Sequence, residues 1–338
     1  MSQMPRNKIV RAELAQLLRE GLVNAADNAK IAPLYPLEKW NWTSLSRWFL
    51  IFGAMSAVAG AAILLRDVFE FTYQKLAIVL ALALFALFGG AYGLKRKGFF
   101  RTAASVELLG GFALIGLTFT LGVIYSTGSG NWPVLLLIDL PILLALTYGL
   151  VNPLLLILSG VVFFSWFGGR TGYESGWSMY WFGMNYPLRF FGAALAFCAV
   201  GFGHMRAETG ILARYRGFAK IWISMGLFML EMSLWLLSLF GNFGDMMSFR
   251  LAPADELVLF NAIWLVLNVA LVFFGTKLRF GMLTGYGVTF FIIQLYTLFF
   301  AHVAESLGWV MSMFVAGGSA LALAMALESR RRAGVIAK

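Results

Sequence analysis

The sequence is poor in the residues from which most active sites are built. Its 338 residues include one cysteine, Cys198, and two histidines, His204 and His302. A single thiol excludes a disulfide within the chain and a cysteine metal cluster. His204 falls at the inner end of its apolar run and His302 at the outer end of another, a placement that argues against a bis-histidine haem and suits polar residues at a membrane interface. The Gly-Lys-Ser/Thr phosphate loop and the G-x-S-x-G nucleophile elbow are both missing, which disfavours an ATPase or a serine hydrolase. No residue pattern calls for a cofactor.

Charge is scarce as well. Only 12% of residues are charged and 60% are apolar, against roughly 25% and about 45–50% in soluble domains. Mean hydropathy is +0.80. Most of the chain must therefore lie in a solvent other than water, and at about 20 apolar residues per crossing its length allows up to about ten membrane spans. The net charge of +10 would raise nucleic acid as a partner in a soluble protein, but here the basic residues gather at the ends of apolar runs. They suit a membrane surface, not nucleic acid.

The fold class expected is all-α, a polytopic bundle of ten transmembrane helices with both termini in the cytoplasm. A cleavable signal peptide would place an apolar stretch within the first ~15–30 residues. The first apolar run begins only near Trp48, after a polar and basic segment, so the first span serves as its own insertion signal. Residues 1–43 read as a small cytoplasmic unit. Val10, Leu14, Leu17 and Leu18 recur at helical spacing, Gly21 stops that helix, and Asn24 caps a second one with Asp27 in its first turn. Arg6, Lys8, Arg11 and Arg19 suit anionic lipids of the inner leaflet. Pro33 and Pro36 lead to Trp40, Trp42 and Trp48, placed as interface anchors.

Residues 44–327 form the bundle, with apolar runs at 44–65, 75–94, 103–125, 133–150, 151–167, 187–204, 221–240, 257–274, 282–300 and 307–327; residues 328–338 are a basic cytoplasmic tail. The fourth and fifth runs meet around Tyr148, Asn152 and Pro153, as a tight hairpin or one broken helix. Ten spans put 21 of the 26 basic residues inside, as expected because Lys and Arg resist translocation in short loops; nine spans scramble the asymmetry. Small residues at Ser56 and Gly60, Gly89 and Gly90, Gly110 and Gly111, Gly281 and Gly285, and Gly317 and Gly318 are candidates for close helix approach.

The stretch LAQLLREGLVNAADNAKI, then a span of small and aliphatic residues, then a span ending in Gly and basic residues, then LLGGFALIGLTFTLGVIYSTGSGNWPVLLLIDLPILLALTY, together resemble the bacterial membrane proteins of domain-of-unknown-function family 2157. The resemblance covers roughly residues 10–170. It implies a multi-pass protein of the bacterial inner (plasma) membrane. It carries no activity and no site residues with it.

Three acids fall inside spans, where a charge costs roughly 2.5–3.5 kcal/mol on insertion scales. Glu231 is the deepest, roughly 15 Å into its span, with Asn268 and Gln294 at about the same level on neighbouring spans and no Lys or Arg beside them. It is either protonated and bonded to an amide or open to a water-filled cavity. Asp139 stands two residues before Pro141, where it can line an outer pathway or snorkel to headgroups. Glu107 can pair with Arg101 or a neighbouring basic loop. In the outer loop from Gly168 to Tyr186, Tyr173, Trp177, Tyr180 and Trp181 at helical spacing make one aromatic face, as a helix lying in the interface, a lid or a docking surface. His302 and Glu305, with Asp245, Asp255 and Glu256 nearby, lack the further ligands a metal site needs.

Two functions are compatible with this pattern. One is a transporter-like protein with Glu231, Asn268 and Gln294 at a proton or substrate site and Asp139 on the outer path. The other is a non-catalytic membrane subunit or scaffold, in a homo-oligomer or beside another membrane protein, whose polar residues hold helices together. No internal repeat is visible, which counts against the first. An intramembrane enzyme ranks last, since no matched acid–base or metal constellation is present.

Overall fold

A computed structural model describes residues 3–31, 34–35, 72–126, 130–174, 180–181, 184–242 and 252–336. The expected first span at 44–65, with Trp40, Trp42, Trp48, Ser56 and Gly60, lies outside them, as do Trp177 and Asp245. The chain divides into two compact units, Met1–Leu121 and Gly122–Lys338.

The first unit contains α1 (Gln3–Arg19), α2 (Ala25–Ile31), α3 (Tyr73–Arg96) and most of α4 (Phe100–Ile124). Gly21, at φ +72°, ends the α1 turn where a side chain would be strained. Asn24 Oδ1 accepts from Asp27 N at 2.7 Å and caps α2. Arg11 Nε ties α1 to the Tyr35 carbonyl at 3.0 Å. The Glu107 partner is Lys95, in the last turn of α3, at 2.6 Å, with Glu107 itself 2% exposed.

The second unit runs through α5 (Pro133–Leu150), α6 (Pro153–Glu174), a two-residue hairpin of β1 (Tyr180–Trp181) and β2 (Met184–Asn185), then α7 (Tyr186–Ala207), α8 (Phe218–Phe240), α9 (Ala254–Lys277), α10 (Gly281–His302), α11 (Ala304–Leu307) and α12 (Trp309–Ile336). α5 and α6 are separate helices. Val151 adopts a left-handed φ of 55°, Asn152 N donates to Thr147 O at 3.1 Å, and Asn152 Oδ1 accepts from Leu154 N at 2.8 Å, so one residue closes the first helix and opens the second. Pro153 then occupies the first helical position, where its missing N–H costs nothing.

Eight described helices, α3 to α10, are long and apolar enough to cross a membrane; the apolar part of α12, Trp309–Ala322, is shorter. The arrangement of side chains is the reverse of a soluble protein. Phe85, Val266 and Phe314 point outward, while Glu107, Asp139, Arg189, Glu231, Glu256 and Asn268 are buried. Apolar surroundings satisfy no polar group, so polar groups turn inward. The chain is a multi-pass helical membrane protein.

The glycines that allow helices to touch are mostly not those expected. A Cβ at Gly226 on α8 would stand 2.8 Å from Cys198 N of α7, and one at Gly201 on α7 would stand 2.8 Å from Ile223 N. Likewise a Cβ at Gly275 on α9 would meet Thr284 N at 2.5 Å, and one at Gly287 on α10 would meet Asn268 O at 2.8 Å. Gly89, Gly90, Gly281, Gly285, Gly317 and Gly318 have open space there, while Gly110, facing the Phe88 ring at 2.7 Å, is crowded as expected. Spacing alone cannot say which face of a helix meets its neighbour. Gly226→Ala should therefore lower the melting temperature in detergent, by roughly 1–3 kcal/mol of overpacking, whereas Gly89→Ala should match or exceed the wild type, since Ala is the better helix former by about 1 kcal/mol.

Between α7 and α8 the carboxylate of Glu208 takes the place of a capping residue. Its Oε1 accepts from Ala219 N at 2.7 Å and its Oε2 from Gly217 N at 3.0 Å. His204 is not at an open interface but buried, with Nδ1 3.0 Å from Glu208 Oε1 and its ring over Phe218. Partial burial pushes the Glu208 carboxyl up, but the two backbone bonds and the His204 ring together outweigh it and hold the group below the ordinary carboxylate range. A depressed acid stabilises the fold above its unfolded value and loses that contribution as pH falls through its folded one. Glu208→Gln should thus lower the melting temperature at neutral pH, and the gap from wild type should shrink as the buffer is acidified.

Candidate functional site

The site is built from α8, α9 and α10. On α8, Glu231 stands one turn from Leu227 and one turn from Leu234, members of two separate apolar clusters. The carboxyl thus interrupts an otherwise apolar seam. On α9, Asn261, Trp264, Asn268, Leu271 and Gly275 follow each other at steps of three and four and share one face, and Trp264 and Asn268 are fully buried. Gln294 projects from α10 and is 2% exposed. Glu231, Asn268 and Gln294 each lie at least eight residues from either end of their helices, roughly 12 Å or more along the axis.

The bonds form two short chains. Trp264 Nε1 donates to Glu231 Oε2 at 2.7 Å. Asn268 Nδ2 donates to Gln294 Oε1 at 3.4 Å, and Gln294 Nε2 donates to the Asn261 carbonyl at 2.8 Å. Asn261 Nδ2 in turn reaches the Ser238 and Leu257 carbonyls. Three oxygens receive no donor among the described residues: Glu231 Oε1, Asn268 Oδ1 and Asn261 Oδ1. Further along the seam, Trp235 Nε1 donates to Thr297 Oγ1 at 2.9 Å and Tyr286 OH to the Ser224 carbonyl at 3.0 Å.

Glu231, Asn268 and Gln294, expected at one level, come together in this seam. Trp264 and Asn261 were not expected there. Their spacing from Asn268 on one helical face is the signal that points to them. Asp139 does not join the group. It is fully buried on α5, which packs against α6, so it does not snorkel to the headgroups, and it is not a bonding partner of Glu231, Asn268 or Gln294. Of the aromatic face expected in the outer loop, Tyr173 lies in the last turn of α6, Trp177 is outside the described residues, and Tyr180 and Trp181 form β1, paired antiparallel with Asn185 and Met184. Aromatic residues favour extended backbone as readily as helix, so helical spacing misled. His302 is exposed at the end of α10 and Glu305 falls in α11. Among the described residues no three His, Cys, Asp or Glu gather to hold a metal ion.

Two cavities run along α10. One of about 540 Å³ is bordered by Gly275, Thr276, Arg279, Thr284 and Thr289. A second of about 380 Å³ shares Gly285 and Thr289 with it and reaches Tyr286 and Phe290. Phe290 packs in one cluster with Trp264, the residue that holds Glu231. Neither cavity is bordered by Glu231, Trp264, Asn268 or Gln294.

Comparison with protein-family models, with curated proteins and with solved structures finds no match.

A Trp264→Phe exchange leaves both carboxyl oxygens of Glu231 without a donor and should destabilise the fold by about 1–3 kcal/mol, the cost of an unmet buried polar group. Adding Glu231→Leu should recover part of that loss. A double-mutant cycle of melting temperatures measures the coupling, and simple additivity would show that the bond contributes nothing.

Proposed function

We propose that this protein is a transporter-like protein of the bacterial inner membrane, with its binding site at Glu231, Trp264, Asn268 and Gln294. The observation that carries the reading is the set of donor-less oxygens at Glu231 and Asn268, buried in the middle of three adjacent helices. Such oxygens are costly in an apolar interior unless something fills them. Intramembrane ionisable residues commonly mark ion, proton or substrate paths.

Ten spans with both termini in the cytoplasm, an N-terminal helical hairpin on anionic lipid, and membership of domain-of-unknown-function family 2157 belong to the same proposal. The distribution of basic residues and the texture of residues 10–170 support them. Asp139, buried on α5, is not among the residues of this binding site.

The test is solute uptake into proteoliposomes, screened by solid-supported-membrane electrophysiology over a panel of ions, amino acids, sugars and organic acids. Wild-type protein should give a current with at least one solute, and Glu231→Ala should remove it while Gly89→Ala keeps it. Equal currents from the wild type and Glu231→Ala would sink the reading.

A further inference from the structure

The orientation of the two amides in the seam is fixed by a group that can only accept. The Asn261 carbonyl takes a hydrogen bond at 2.8 Å, so it must face the Gln294 amino group. Gln294 Oε1 is then turned to Asn268, which must present Nδ2 to it. Asn268 Oδ1 is thereby turned away from Gln294, and it has no donor among the described residues. The same logic applies to the carboxyl. Trp264 Nε1 can only donate, and it occupies Oε2, which leaves Oε1 as the second bare acceptor. Trp264 and Asn268 are four residues apart on one face of α9, so the carboxyl and the bare amide oxygen address α9 about one turn, roughly 6 Å, apart. What this place lacks is a donor.

We infer that Glu231 is a proton-binding site, in which a proton on Glu231 Oε1 supplies the donor that this seam lacks and Asn268 Oδ1, one turn further along α9, is the bare acceptor on the same side of that helix. This deepens the transport reading and rests on it for its purpose, though not for its test. The step is a simple exchange: the O–H bond of the carboxyl breaks, the proton leaves to water, and the carboxylate keeps the electron pair. With the proton present, the Glu231 carboxyl brings a donor to the side of α9 that carries the bare Asn268 oxygen. Without it, the carboxylate and the Asn268 oxygen are two acceptors sharing a dry seam, and the contact between α8 and α9 loses its reason to close.

Among the described residues no other ionisable group is bonded to the Glu231 carboxyl. On α7, Cys198 meets α8 at Gly226, two turns from the α8 N-terminus; His204 is bonded to Glu208; and Arg189 lies over the Tyr186 ring. On α9, Glu256 accepts from Asn242 N, and on α10, Tyr286 is bonded to Ser224. α6 offers no ionisable side chain from Pro153 to Gly169. None of these bonds to the Glu231 carboxyl, whose described partner is Trp264.

Infrared difference spectroscopy of the protein in lipid nanodiscs, titrated from acid to alkaline pH, reads the site without knowledge of a substrate. The wild type should show a protonated-carboxyl C=O band that disappears as pH rises and that is missing from Glu231→Gln. Asn268→Leu should move the band to higher frequency, because a carboxyl that has lost its acceptor vibrates as a freer one; a merely structural Asn268 would leave it in place. Glu231→Gln keeps the Trp264 bond and brings a donor to the seam, so it should fold; if it does not, Trp264→Phe, which also shifts the band, takes its place. Identical titrations of wild type and Glu231→Gln overturn the proposal. So does a change driven by sodium at fixed pH and abolished in Glu231→Gln, which would make the site a cation site. A band that titrates without any transport current would keep this inference and remove the transport reading. A current without a titrating band would do the reverse.

Discussion

The constraint on which the rest of this protein depends is that a polar group in an apolar surrounding must find its partner within the protein. It explains why the helices are so regular, since each backbone N–H and C=O can be met only inside its own helix. It also explains why Glu107, Asp139, Asn152, Arg189, Glu231 and Asn268 are buried while Phe85 and Phe314 face outward. The helices are held by close approach as much as by these bonds. At Gly226 and Gly201 the backbones of α7 and α8 come within the space a methyl group would need, and Gly275 and Gly287 do the same for α9 and α10. Without a hydrophobic force between spans, such contact supplies the dispersion energy that holds them.

The seam of α8, α9 and α10 is where this constraint is met least completely. Two chains of hydrogen bonds enter it, one ending at Glu231 and one at Asn268. Both end on oxygen. A structure that only needed glue could have ended one of them on a donor, by a Gln at position 231 or a reversed amide at 268. Surplus acceptors in a buried place are a chemical preference for what is electropositive.

Much of this was legible in the sequence. Eight of the ten apolar runs correspond to described helices long enough to span, and the Asn24 cap was readable because capping chemistry is local: a short polar side chain before a helical run has few other uses. The grouping of Glu231, Asn268 and Gln294 followed from depth, since antiparallel helices of similar length bring mid-span residues to one level. What the sequence could not show was facing. It did not distinguish Gly226 and Gly201 from Gly281 and Gly285, because the rotation of each helix is set by its neighbours. It left Asp139 open between an outer pathway and the headgroups, because a position near a helix end permits both, whereas the packing of α5 on α6 buries it. Tyr180 and Trp181 were read at helical spacing but form β1: two residues of strand leave no periodicity to find.

The pair of Lys95 and Glu107 has a bearing on how its two helices suit hydrocarbon. α3 and α4 are joined by only three residues, and the pair sits at that end of the hairpin, the ammonium 26% and the carboxylate 2% exposed. A carboxylate entering the hydrocarbon alone would resist. Glu107 lies two turns into α4, behind Arg101 of its own helix, yet it is ion-paired to Lys95 of the preceding one. Docking α4 against α3 therefore cancels a charge as well as burying surface, and the two helices are each more compatible with hydrocarbon as a pair than apart.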